Sequence, residues 1–318
     1  MGAFLIRRII GAILVCIAVT FIVFAIFILV PGGGKRGTAE RMAGKNANDA
    51  LVTSIMHNWG FDRPFYVQYG TMMKKMFTNK LVSYTKQQPV LTQIIQGMPA
   101  TFSLTIGAVV IWLFFGIMVG VMSAVTAGRL SDRAITVFAL IGISIPVFWL
   151  GIMLRYFLAE QRSLFPDGGY VPLTTNPAQW VYHLILPWFT LAVLSIGFYG
   201  RVLRSNILDS INEDFVRTAR AKGLTPRRVM AKHILRNSLI PIVTLFGLDF
   251  AAVLGGGAIL TETVYDLHGI GFYAKTAISN LDLPPLMGVT LFGALFIVMF
   301  STIVDVVYAW LDPRIRLQ

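Results

Sequence analysis

Six apolar runs punctuate the chain, at residues 9–30, 99–128, 134–154, 183–200, 237–260 and 286–304. Only one Asp, Glu, Lys or Arg falls within them, Asp249. A bilayer crossing takes about 20 residues of predominantly apolar helix. A backbone in hydrocarbon must satisfy its own hydrogen bonds, so each run predicts a helix. The pattern therefore predicts an all-α integral membrane protein with six transmembrane helices. The first run is 22 residues long and follows Arg7 and Arg8. The apolar core of a signal peptide is about 7–15 residues, so 9–30 reads as a span. Residues 31–98 are polar and of mixed charge. They contain Pro31-Gly-Gly-Gly34 and the stretch Trp59-Gly-Phe-Asp-Arg-Pro-Phe-Tyr-Val-Gln-Tyr69, and read as a long external segment with short helices. The chain thus divides into 1–30, 31–98 and a five-span unit over 99–318. Pro166, Gly168, Gly169, Pro172 and Pro177 mark a short outer loop before the fourth span.

Composition agrees. Of 318 residues, 56% are hydrophobic and 13% charged, against roughly 25% charged in soluble domains. The net charge of +12 would suggest nucleic acid in a soluble protein. Beside apolar spans it reads as an orientation signal, because Lys and Arg gather on the cytoplasmic side. Residues 201–236 hold nine such residues: Arg201, Arg204, Arg217, Arg220, Lys222, Arg227, Arg228, Lys232 and Arg236. That loop is expected to be cytoplasmic, and six spans then place both termini there too. Residues 31–98 are also basic, but segments longer than about 60 residues translocate largely regardless of charge.

Chemistry-bearing groups are few. Cys16 is the one cysteine, and the four histidines are isolated in sequence, so no metal set is expected. No Gly-x-x-x-x-Gly-Lys-Ser/Thr loop for nucleotide phosphates occurs. The run Gly255-Gly256-Gly257 lies in a span and reads as a close-packing site. No catalytic residues are expected. The sequence offers no paired carboxylates for a membrane-embedded enzyme, and a secondary transporter usually carries several ionisable residues along its path.

The basic loop has internal order. Residues 211–222 read as a helix ending at Gly223, with Ile211, Phe215 and Ala219 as its apolar stripe. Thr225 and Pro226 supply an N-cap and a first helical position for a second helix running towards Leu235. The result is a two-helix knob suited to a groove on a soluble partner. The competing readings are a basic loop on anionic lipid and a nucleic-acid-binding helix-turn-helix.

The stretch from Arg217-Thr-Ala-Arg-Ala-Lys-Gly223 to Pro241 resembles the EAA loop of ABC importer permeases, most closely the dipeptide/oligopeptide branch, which includes nickel permeases. The general pattern is Glu-Ala-Ala, three residues, Gly, nine residues, then Ile-x-Leu-Pro. Gly223 matches the glycine and Ala219 the second alanine. Arg217 and Thr218 replace Glu and the first Ala, and His233 to Arg236 stand where Ile-x-Leu-Pro would be. Further matches are Gly60-Phe-Asp-Arg-Pro64, Pro99-Ala-Thr101, Glu262-Thr-Val-Tyr265 and Leu311-Asp-Pro-Arg314. His268-Gly269-Ile-Gly271 lacks the proline of the usual Pro-Gly-x-Gly.

The resemblance implies the type I ABC importer permease fold, with a cytoplasmic coupling-helix loop. It implies a second permease chain, two cytoplasmic ATPase subunits that bind ATP and Mg, and an external substrate-binding protein. No cofactor would be bound by this chain. The residues implied in ATPase coupling are Phe215, Arg217, Thr218, Ala219, Arg220, Lys222, Gly223, Leu224 and Pro226. Asp249 and Glu262 are candidates for the translocation pathway: Asp249 lies near the middle of the fifth span, where a carboxylate should face the bundle interior or a wet cavity, and Glu262 belongs to the family-like Glu262-Thr-Val-Tyr265 at the start of the outer loop 261–285. Peptides are the expected substrate, with nickel and oligosaccharides as alternatives.

Overall fold

The computed structural model describes residues 2–29, 35–43 and 48–311. The Pro31–Gly34 run, residues 312–318 and the side chains of Asp305 and Trp310 lie outside the described residues. The described chain is all-α: α1 (Gly2–Leu29), α2 (Lys35–Ala43), α3 (Asp49–Trp59), α4 (Phe65–Phe77), α5 (Val90–Val125), α6 (Leu130–Ser144) and α7 (Val147–Leu154), which continues as a π-helical turn to Glu160. Then follow α8 (Pro177–Ser210), α9 (Asp214–Ala221), α10 (Pro226–Val229), α11 (Leu235–Ser238), α12 (Ile240–Ala252), α13 (Ile259–Val264), α14 (Ile270–Ser279) and α15 (Leu283–Leu311).

Among the described residues five helices are long and apolar enough to cross a bilayer, and six if one bent pair counts as a span. That pair departs from the sequence expectation. Residues 134–154 read as one continuous span, yet α6 and α7 meet at 96°. Pro146 causes the break. It has no N–H to continue the ladder, and it pushes Ile145 out of the helical region to φ −83°, ψ 125°. The fifth run is also interrupted. After α12 comes a π-helical turn in which Gly256 adopts φ 140°, a value that favours glycine. The second span starts earlier than Pro99, at Val90, with Pro99 inside the helix.

The spine is α5 against α8. The two run parallel: Gly107 faces Trp188, Gly116 faces Tyr199 and Gly120 faces Leu203. A Cβ at Gly120 would lie 2.8 Å from Leu203 Cβ and 2.9 Å from the Gly200 carbonyl oxygen. A Cβ at Gly200 would lie 2.7 Å from Val119 Cγ1. Small residues let the two backbones approach, so dispersion replaces the hydrophobic drive that lipid removes. The expected close packing at the glycine run is present too, since a Cβ at Gly293 of α15 would lie 2.5 Å from the Gly255 carbonyl oxygen.

The bundle has two distinct ends. At one, α2–α4 pack as a cap on the end of α1 and the start of α15, through Phe24, Phe27, Phe61, Met72, Tyr84 and Met287. Asp282, 2% exposed, ties this cap to α15. Its carboxylate accepts from the Ser83 hydroxyl (2.5 Å), the Tyr84 amide (3.0 Å), and the Thr85 amide and hydroxyl (3.2 and 2.7 Å). At the other end, α8 runs into α9–α11.

Candidate functional site

The α9–α11 knob joins the end of α8 to the start of α12. Asp214 in the first turn of α9 and Arg220 in its last suit the helix dipole. The helix stops because Gly223 takes φ +75°. This closes the end: the Gly223 amide donates to the Arg220 carbonyl (2.9 Å) and the Leu224 amide to the Ala219 carbonyl (3.4 Å). Pro226 opens α10 as expected. Thr225 has cap backbone geometry and its carbonyl accepts from the Val229 amide at 3.0 Å, but its side chain makes no cap bond.

The apolar stripe of α9 differs from the expected Ile211, Phe215 and Ala219. Val216 and Ala219, three residues apart, are the buried pair, while Phe215 is 40% exposed. The helix begins at Asp214 rather than at 211, so Ile211 lies in the preceding turn and not on the α9 face. Val216 and Ala219 join Val229 and Ile234 in one core with Leu203 and Ile207 of α8. Polar contacts also fasten α8 to α11. The Ser238 hydroxyl lies 3.1 Å from the Asn206 carbonyl and 3.2 Å from the Ser210 hydroxyl, and Asn206 Nδ2 donates to the Ser238 carbonyl (3.3 Å).

What remains outside is a cationic face with an aromatic at its edge. Phe215, Arg217, Thr218, Arg220, Lys222, Gly223 and Pro226 are exposed, as are Arg227 and Arg228, whereas Leu224 is half-buried. Of the nine positions expected in ATPase coupling, the structure thus gathers seven on the surface. It places Ala219 beneath them as an anchor and leaves Leu224 packed against the core. Arg217 faces Asp214 at 3.5 Å, an exposed contact of little energetic weight.

The two pathway candidates sit in separate networks, Asp249 within the fifth span and Glu262 beyond its end at Gly257. Asp249, half-buried on α12, accepts a 2.7 Å hydrogen bond from the Tyr199 hydroxyl on α8. Glu262 on α13 is 0% exposed. Its Oε1 accepts from the Thr101 hydroxyl of α5 (2.6 Å) and its Oε2 from the Phe272 amide (2.9 Å) at the start of α14. Burial pushes this carboxyl above its usual range, opposed by the Thr101, Phe272 and Gly271 hydrogen bonds. Ionisation of Glu262 therefore opposes folding. Its contribution is greatest when protonated and declines as pH rises through its titration. Among the described residues no cluster of His, Cys, Asp and Glu could hold a metal ion.

Residues 113–317 match the family model described as binding-protein-dependent transport system inner membrane component, and residues 1–105 match its N-terminal companion. The chain belongs to this family. It is 35% identical to a probable peptide ABC transporter permease protein of Sinorhizobium fredii, over 99% of this chain and 100% of that one. It is 35% identical to the probable D,D-dipeptide transport system permease protein DdpB of Escherichia coli, over 96% and 95%. The oligopeptide transport system permease protein AppB of Bacillus subtilis is 34% identical, over 99% and 100%. Among solved structures, inward-facing MetNI methionine ABC transporter chains match with TM-scores of 0.55 and 0.57, covering 71% of this chain and 99% of theirs at 18% identity. The permease therefore carries the expected ABC importer fold, as a multi-pass inner membrane protein.

Several structural polar groups of the permease escaped sequence reasoning. Asp132, at the start of α6, is gripped by Arg204 of α8 through two parallel bonds of 2.9 and 2.8 Å. It also accepts from the Ser123 hydroxyl and the Gly128 amide. Tyr265, 0% exposed, bonds Thr190 of α8 (2.8 Å) and the Gly151 carbonyl of α7 (3.2 Å). A lone acid inside a basic turn is the one signal that could have flagged Asp132.

Proposed function

We propose that this permease forms half of the translocation pathway of a peptide importer and receives the ATP-driven motion of partner ATPases through the α9–α10 corner. The observation that carries the reading is that corner. Its inner face is locked into the core shared with α8, and its outer face offers Phe215 and five exposed cations (Arg217, Arg220, Lys222, Arg227 and Arg228) to a partner groove. The knob lies directly between α8 and α12, so a push on it reaches both without a flexible link. The peptide substrate follows from the relatives' names.

In this reading the basic loop and both termini face the cytoplasm and the α2–α4 cap faces outward, towards an external binding protein. A second permease chain completes the pathway. ATP and Mg are bound by the two ATPase subunits, and this chain performs no hydrolysis. Asp249 lines the pathway near the middle of the fifth span. Glu262 contributes at the outer end through the network it organises.

Affinity purification of the permease from its native membrane should recover a second permease-like chain and ATPase subunits. Transport by the isolated permease in vesicles without ATP would overturn the proposal. Asp249→Asn, isosteric and still able to meet Tyr199, should lower peptide uptake several-fold at unchanged expression. Unchanged uptake would remove Asp249 from the pathway.

A further inference from the structure

Between Gly256 and Ser279 the chain turns twice, through α13 and α14, and Glu262, Thr101 and Tyr265, which hold this corner, are buried. Glu262 bridges three pieces: its own helix, Thr101 near the start of α5, and the first turn of α14. The same Thr101 hydroxyl oxygen accepts the Ile270 amide at 2.9 Å. One carboxylate and one hydroxyl thus satisfy the free amides at the start of α14, groups that would otherwise be buried and unpaired.

The glycines of His268-Gly269-Ile-Gly271 fit this arrangement. A Cβ at Gly269 would overlap both the Glu262 carboxylate and the Thr101 hydroxyl. A Cβ at Gly271 would lie 3.0 Å from Glu262 Oε2 and 2.8 Å from Ile259 Cα. A Cβ at Gly97 would lie 3.0 Å from the Gly269 backbone, so α5 and the α14 start are in direct contact. Tyr265 fastens the other side of the corner to α7 and α8, and Arg155 Nη1 donates to the Val264 carbonyl at 2.6 Å. Before the corner stands Gly256, whose φ of 140° breaks the helix.

We propose that Glu262 is a positioning residue, which with Thr101 fastens the α13–α14 corner to α5 so that α14 stays with the α5–α8 spine during transport. This rests on the permease reading only in its consequence for transport. The fastening itself is testable without transport.

The test is hydrogen exchange on the full transporter in nanodiscs, read at the amides of residues 270–272 and, as reference, at 116–124 in α5. Thr101→Val keeps the shape and removes the hydroxyl. Glu262→Leu keeps the bulk and removes the acceptors. Each should speed exchange at 270–272 about tenfold or more, with 116–124 unchanged. Thr101→Ser keeps the hydroxyl and should remain near wild type. In reconstituted vesicles, Thr101→Val should retain ATP hydrolysis while substrate moved per ATP falls several-fold. Wild-type exchange at 270–272 in Thr101→Val overturns the proposal. So does equal exchange in Thr101→Ser and Thr101→Val, which would make packing the cause. Altered exchange with no ATP-dependent uptake in wild type would leave the fastening intact and count against the permease reading.

Discussion

Gly223→Val will abolish most ATP-driven uptake while leaving the membrane bundle folded. Gly223 adopts φ +75° with nothing within 4 Å of where a Cβ would stand, so the substitution meets no clash. Its whole cost is conformational. The left-handed region costs an ordinary residue about 1–2 kcal/mol, and a β-branched residue more. Since 1.4 kcal/mol is a factor of ten, the corner will adopt its observed shape at most about a tenth as readily. Uptake into vesicles containing the assembled transporter should fall at least about tenfold, with the thermal melting of the isolated permease little changed. Gly223→Asn, a residue that tolerates this region, should keep most of the activity. Equal losses for Val and Asn would show that the glycine acts through surface shape and not backbone conformation.

Gly120→Val will act on the opposite link, from packing to stability. Here a Cβ meets the Gly200 carbonyl oxygen at 2.9 Å and Leu203 Cβ at 2.8 Å. The first is backbone and cannot turn aside. Overpacking costs about 1–3 kcal/mol where side chains can adjust, so at a backbone contact the expected loss is about 3 kcal/mol or more. The purified permease should melt markedly lower or fail to accumulate. Gly11→Ala, at a position with nothing within 4 Å, should be nearly neutral. A Gly120 variant melting like wild type would mean that α5 and α8 are not in the contact described.

These two glycines also show which parts of the molecule were legible in the sequence. Gly223 announced itself because helix-end chemistry is local: a basic last turn, a glycine, then Thr225-Pro226. Gly120 did not, because its meaning lies in Gly200 and Leu203, some eighty residues away. The spans were legible because lipid forces one rule on every residue of a run. The bends at Pro146 and Gly256 were less so, since Pro99 and Pro187 sit inside unbroken helices and sequence alone does not say which proline will break one. On the knob, spacing suggested Phe215 faced inward. The α8–α11 contacts reserve that side for Val216 and Ala219. Glu262 stood out as an acid in a family-like motif, but its engagement with Thr101, across 161 positions, had no local signature.

The central claim, that the α9–α10 corner is the surface engaged by ATPase subunits, is tested most directly by site-directed cross-linking. Cys16, the one native cysteine, is buried, so a thiol introduced by Arg220→Cys would be selectively labelled with a short photo-cross-linker. Tyr66→Cys, at a residue 72% exposed in the α2–α4 cap, serves as the opposite-end control. In native membranes, position 220 should capture an ATPase subunit and position 66 should not. Capture of the ATPase from position 66, or of lipid alone from position 220 in assembled transporter, would contradict the account.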